Sequence, residues 1–122
     1  IESGGKFRIT NSMDDAFEGA HVVYPKSWGI EELFSQPEEA LAIAEKYQNW
    51  ICDDEKMKLT KDNSIYMHCL PADRGKEVTD SVIDGVHSRV YPEAENRLHT
   101  CKAIMLMTMA KDLPELKSIE EK

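Results

Sequence analysis

Ile65-Tyr66-Met67-His68-Cys69-Leu70-Pro71 is the stretch that decides the fold. Its apolar opening reads as a strand buried in a sheet, and Pro71 breaks it. The polar run Ala72-Asp73-Arg74-Gly75-Lys76-Glu77 then reads as a loop. A thiol at the carboxyl end of a strand lies where open α/β sheets place their ligands. Proline removes a backbone donor and fixes its own φ, which holds the loop in one shape. The plainer reading of Cys69 alone is a small buried hydrophobe.

Outward from this stretch, strand and helix patterns alternate. Lys6–Thr10, Ala20–Tyr24, Ser64–Cys69 and Arg89–Tyr91 read as strands. Ser12 can cap a helix over Met13–Glu18 that Gly19 ends. Lys26–Gln36 reads as loop with at most one helical turn. Pro37 suits the first turn of a helix running to about Tyr47, with Leu41, Ala44 and Tyr47 on one face. Short helices are expected over Asp53–Leu59, with acids at its start, and over Thr79–Asp84, ended by Gly85. The longest helix is expected from Glu93 to about Lys111, its stripe of Ala94, Leu98, Cys101, Met105 and Met109 read as core. This alternation predicts α/β architecture: a small doubly wound parallel sheet, three-layered and Rossmann-like. No GxGxxG turn marks a nicotinamide-binding half.

Composition excludes several functions. The 122 residues suffice for one domain of modest size. Asp and Glu number 23 against 15 Lys and Arg, for a net charge of −8. A nucleic-acid footprint or an anionic membrane surface calls for a basic face instead. No apolar run approaches the roughly 18 residues of a membrane span. Cys52, Cys69 and Cys101 are odd in number and lack CxxC spacing, which points away from a disulfide framework or a metal site and towards a reducing cytoplasm.

Three motifs together resemble one family. His68-Cys69-Leu70-Pro71 is followed by Pro92-Glu93-Ala94-Glu95-Asn96-Arg97-Leu98-His99 and preceded by Tyr24-Pro25-Lys26-Ser27-Trp28-Gly29. In this order they resemble the transcarbamylases, the ornithine and acetylornithine carbamoyltransferases. The Lys-Ser-Trp-Gly form, with Asp53–Thr60 ahead of the strand, is similar to the knotted acetylornithine/succinylornithine branch. The resemblance runs from about Lys6 to about Met109. It implies that residues 1–122 are most of a carboxyl-terminal, amino-acid-binding domain. The carbamoyl-phosphate domain, with its Ser-x-Arg-Thr and His-Pro-x-Gln motifs, and the first strand and helix of this domain are absent from the sequence. The implied ligands are carbamoyl phosphate and an amine or amino acid, with no cofactor, and the implied assembly is a homotrimer. The competing reading is a carbamoyltransferase-like module without catalysis.

The resemblance also implies site roles. Cys69, Leu70 and Arg97 meet carbamoyl phosphate, with Cys69 and Arg97 catalytic. Lys26, Ser27, Trp28, His68, Leu70, Pro71 and Glu77 hold the amino-acid substrate. Each residue has a plainer alternative. Arg97 can pair with Glu93 one helical turn away, a contact of about 0.3–0.5 kcal/mol. Lys26 can be an exposed loop lysine, and Asp73 can pair with Arg74. His68 alternates with Cys69 along the strand and so faces the other way, which suits a structural role and leaves Cys69 without a base. His21, His87 and His99 carry no sequence partner that suggests catalysis. Glu77 stands nine residues after His68, where the acetylornithine branch has a lysine, and Ala72-Asp73 also departs from that branch. These changes are expected to add negative charge at the distal end of the pocket, favouring a substrate with a cationic or polar distal group over acetylornithine.

Overall fold

The computed structural model describes residues 4–25 and 35–109. Its elements are α1 (Met13–Phe17), β1 (Val22–Val23), α2 (Pro37–Lys46), α3 (Asp54–Met57), β2 (Ile65–Tyr66), α4 (Asp80–Ile83) and α5 (Val90–Met109). Local chemistry fixes the helix starts. Ser12 Oγ accepts the Asp15 N–H at 3.2 Å, and Asp53 Oδ1 accepts the Lys56 N–H at 2.9 Å. Each side chain thereby satisfies a donor that the first helical turn leaves open. Pro37 occupies the first turn of α2, where no N–H is required. Gly19, just past α1, has φ +66°, a conformation that costs glycine little.

β1 and β2 pair in parallel, with Val22 opposite Ile65 and Val23 opposite Tyr66. A parallel bridge from Tyr66 to Ser88 extends the pairing on the far side of β2. It is carried by Tyr66 N–H to His87 O at 2.9 Å and Arg89 N–H to Tyr66 O at 2.8 Å. Cys52 and Val78 form a second parallel bridge, through Cys52 N–H to Glu77 O and Thr79 N–H to Cys52 O. Around these pairings lies one core of Phe17, Val23, Cys52, Tyr66, Val78, Val82, Ile83 and Val90. The α/β class and the parallel sheet therefore stand.

Four expectations are corrected. Lys6–Thr10 alternates yet forms no strand; Phe7 and Ile9 are exposed, and no ladder partner lies beside them among the described residues. The Ser64–Cys69 strand is only Ile65–Tyr66, because the Met67 N–H makes the last ladder bond, to Val23 O, and the His68 N–H turns to the Glu93 side chain. The Arg89–Tyr91 strand is replaced by the single Ser88 bridge, after which α5 begins at Val90. The stripe of α5 is not core: Leu98 and Met105 are more than half exposed, and Cys101 is exposed. No described element packs over that stripe, so its apolar side chains have nothing to bury against. The end of that helix beyond Met109 and the turn expected after Lys26 lie outside the described residues.

Candidate active site

The turn after β2 is built from beneath by His68. Along Ile65 to Cys69 burial alternates, with Tyr66 and His68 inward and Cys69 half-buried. His68 is 2% exposed, and both its ring nitrogens are occupied. Nδ1 accepts the Leu70 N–H at 2.9 Å, which places the ring proton on Nε2. Nε2 then donates to Glu77 Oε2 at 3.1 Å. The same oxygen accepts the Asp73 N–H at 2.9 Å, so one buried carboxylate ties both limbs of the turn. The Leu70–Pro71 peptide is cis. Leu70 itself has φ +54°, a left-handed conformation costing a side-chain-bearing residue about 1–2 kcal/mol. The bond from its N–H to His68 offsets that cost. Leu70 is half-buried and Pro71 exposed, so the turn presents Cys69, Leu70 and Pro71 at the strand end.

Glu93 secures the turn from the side. Its Oε2 accepts the His68 N–H at 3.0 Å, and its Oε1 accepts the Tyr24 hydroxyl at 2.6 Å. Tyr24 also interacts with the Cys69 thiol. The hydrogen bond to Glu93, foremost, holds the Tyr24 hydroxyl well above its ordinary range, because ionising it would give up the proton that it donates to the carboxylate. Arg97 lies one helical turn beyond Glu93 on the same face of α5. The plainer alternative, a Glu93–Arg97 pair, does not form: Glu93 is engaged by Tyr24 and His68, and Arg97 has no ion pair among the described residues. Arg97 is exposed.

Two sequence expectations change here. His68 and Glu77 were read as substrate contacts, but both are buried and bonded to the turn, so they shape the loop from below. Glu77, 3% exposed, is not on a distal pocket wall. Its second oxygen, Oε1, is buried without a partner, and the residue lines a cleft of about 450 Å³ with Phe17, Val23, Trp50 and Cys52. Asp73 does not pair with Arg74; Arg74 instead spans Asp80 and Asp84, at 2.6 Å each. Lys26, Ser27 and Trp28 lie outside the described residues. His87 Nδ1 meets the Ser64 carbonyl at 2.8 Å, a structural bond. No group of three potential metal ligands occurs among the described residues, and no helix there is long and apolar enough to cross a membrane.

Residues 1–108 match the family model described as aspartate/ornithine carbamoyltransferase, Asp/Orn binding domain. The chain belongs to the aspartate/ornithine carbamoyltransferase family. It is 45% identical over 105 residues to N-acetylornithine carbamoyltransferase of Xanthomonas axonopodis pv. citri (strain 306), covering 86% of this chain and 30% of that one. It is 40% identical over 111 residues to ornithine carbamoyltransferase of Archaeoglobus fulgidus, covering 91% and 35%. A crystal structure of acetylornithine transcarbamylase complexed with acetylcitrulline matches with TM-score 0.76 and 45% identity, over 85% of this chain and 31% of that one. The chain thus spans about a third of the length of its carbamoyltransferase relatives. Glu93 is the residue whose role in this carbamoyltransferase domain the sequence concealed. Its partners stand 69 and 25 residues away, and only its place in a helical first turn marks it.

Proposed function

We propose that residues 1–122 are the amino-acid-binding part of a carbamoyltransferase, which moves a carbamoyl group from carbamoyl phosphate to an amine and releases phosphate. The observation that carries this reading is the turn Cys69-Leu70-Pro71 standing proud of a buried support, with the exposed Arg97 on the helix face that meets it.

The chemistry asks for three things. A dianion must be held, a carbonyl polarised, and a neutral amine aimed at the carbonyl carbon. A planar guanidinium suits phosphate or carbonyl oxygens, which is the role proposed for Arg97. The Leu70 carbonyl is a fixed acceptor for the carbamoyl NH₂, and the Cys69 sulfur faces the approaching amine. The amine lone pair forms the new C–N bond, the C–O bond to phosphate breaks, and the amine gives up one proton. Lys26, with Ser27 and Trp28, is proposed to hold the substrate carboxylate. His68 and Glu77 keep the turn in shape. No step asks for a cofactor. The remaining phosphate contacts belong to a separate carbamoyl-phosphate domain, and the proposed assembly is a cytoplasmic homotrimer. Ornithine and acetylornithine, the amines in the relatives' names, head the acceptor candidates.

The test is carbamoyl-phosphate-dependent ureido formation by the full-length protein with ornithine, acetylornithine, succinylornithine, putrescine and small diamino acids. Arg97→Ala is expected to lower kcat/KM for the accepted amine by about 10²–10³-fold. No turnover with any amine, together with no binding of carbamoyl phosphate, would favour a non-catalytic module.

A further inference from the structure

Glu93 joins three elements at the strand ends. Tyr24 follows β1, His68 follows β2, and Glu93 itself sits in the first turn of α5, its own N–H bonded to Arg89 O at 2.9 Å. Each carboxylate oxygen serves one donor: Oε1 takes the Tyr24 hydroxyl and Oε2 the His68 N–H. The Tyr24 bond is short, at 2.6 Å, as expected when the acceptor is charged, and the His68 bond is of ordinary length, at 3.0 Å.

The consequence lies in what these elements carry. Cys69 directly follows the clamped His68 and interacts with Tyr24. Arg97 follows Glu93 by one turn of rigid helix, about 6 Å along the axis. The separation of Cys69 from Arg97 is therefore set by how the first turn of α5 seats on the loop. Below Val90 the helix has little else to fix it, since its side chains from Ala94 to Met109 are exposed.

We propose that Glu93 is a positioning residue for carbamoyl transfer, its carboxylate locking the Cys69–Leu70 turn, the end of β1 and the helix of Arg97 into one register. The proposal rests on the carbamoyltransferase reading above. Glu93 touches no reacting atom. It acts by holding apart, at a fixed distance, the groups that meet the amine and the anion. Misplacing such groups by about 1 Å costs on the order of 10²-fold in rate while leaving each ligand's own contacts largely intact. The signature is thus a fall in kcat rather than a rise in KM.

Steady-state kinetics of the full-length protein test this, with thermal unfolding and circular dichroism on every variant. Glu93→Ala removes both bonds and is expected to lower kcat by about 10²-fold, with both KM values within about threefold. Tyr24→Phe keeps the His68 bond and is expected to lose about 5–10-fold in kcat. Glu93→Gln restores most of the rate. Its amide oxygen accepts the His68 N–H, and its NH₂ can donate to the Tyr24 oxygen. A kcat loss in Glu93→Ala no larger than the loss of folded protein overturns the proposal. So does a loss confined to KM, or a Glu93→Gln variant as poor as Glu93→Ala. A wild-type protein without carbamoyl transfer overturns the carbamoyltransferase reading first, and this is seen before any variant is made.

Discussion

The turn after β2 and the body of α5 are opposite kinds of structure within one short chain. At the turn, His68 and Glu77 are buried and bonded, and between them they hold the Leu70 and Asp73 N–H groups. Along α5 the apolar side chains Leu98, Ile104, Met105, Leu106 and Met107 all stand more than half exposed. The first region is specified by contacts the chain makes with itself. The second carries apolar side chains that no described element covers. A site framework can thus be self-sufficient where the surrounding domain is not.

The largest expected effect breaks the self-sufficient side. His68→Ala strips Glu77 of its ring donor and leaves the Leu70 N–H without an acceptor, all inside the core. The expected loss of stability is about 3–5 kcal/mol, the usual cost of removing one partner from a buried polar pair. Urea unfolding of the chain measures it. A loss under about 1 kcal/mol would mean that the turn does not depend on its buried support.

The middle effect sharpens the contrast from the other side. Leu98→Ala and Met105→Ala should each change the stability of this chain by no more than about 0.5 kcal/mol, as exposed positions do. In the full-length protein the same substitutions should cost about 2–5 kcal/mol if the stripe is then covered. Equal effects in both settings would show that the stripe is a solvent face in the longer protein as well.

What the sequence allowed to be read follows the same divide. Helix caps are local chemistry, so Ser12, Asp53, Pro37 and Gly19 could be placed without the fold. The turn at His68–Pro71 was legible because an apolar run met a proline. Strands were less legible, because a strand exists only with a partner; Lys6–Thr10 has the alternation but no ladder. The stripe on α5 misled, since Ile104, Met105, Leu106 and Met107 follow one another around the helix and no single apolar face is buried; spacing picks out apolar positions and not what covers them. Within the site, Arg97 is singled out by the family resemblance, since its chemistry alone fits a pair with Glu93 as well. Glu77 could not be placed, because nothing in its neighbourhood along the chain says that it folds beneath His68. The bonds of Glu93 to Tyr24 and His68 depend on long-range pairing, and the sequence offered only the nearer Arg97 as its partner.

The smallest expected effect belongs to Cys52, on the packed side of the contrast. This thiol is 1% exposed and pushed up to about 12, chiefly by burial and then by the neighbouring carboxylates of Asp53 and Asp54. Its unfolded value is the ordinary 9.0, so the folded state holds the proton more tightly. The stabilisation linked to that proton is fully present below pH 9.0 and is lost as the pH rises towards about 12, where the unfolded chain binds fewer protons. Urea midpoints measured from pH 8 to pH 11 should therefore fall, and the fall should be shallower in Cys52→Ala than in the wild type. Tyr66, fully buried and likewise raised by desolvation, contributes to the same slope and remains in the variant, which is why the difference between the two curves, not either curve alone, reports on Cys52. Parallel curves would place the Cys52 thiol in contact with solvent and remove it from the packed support under the turn.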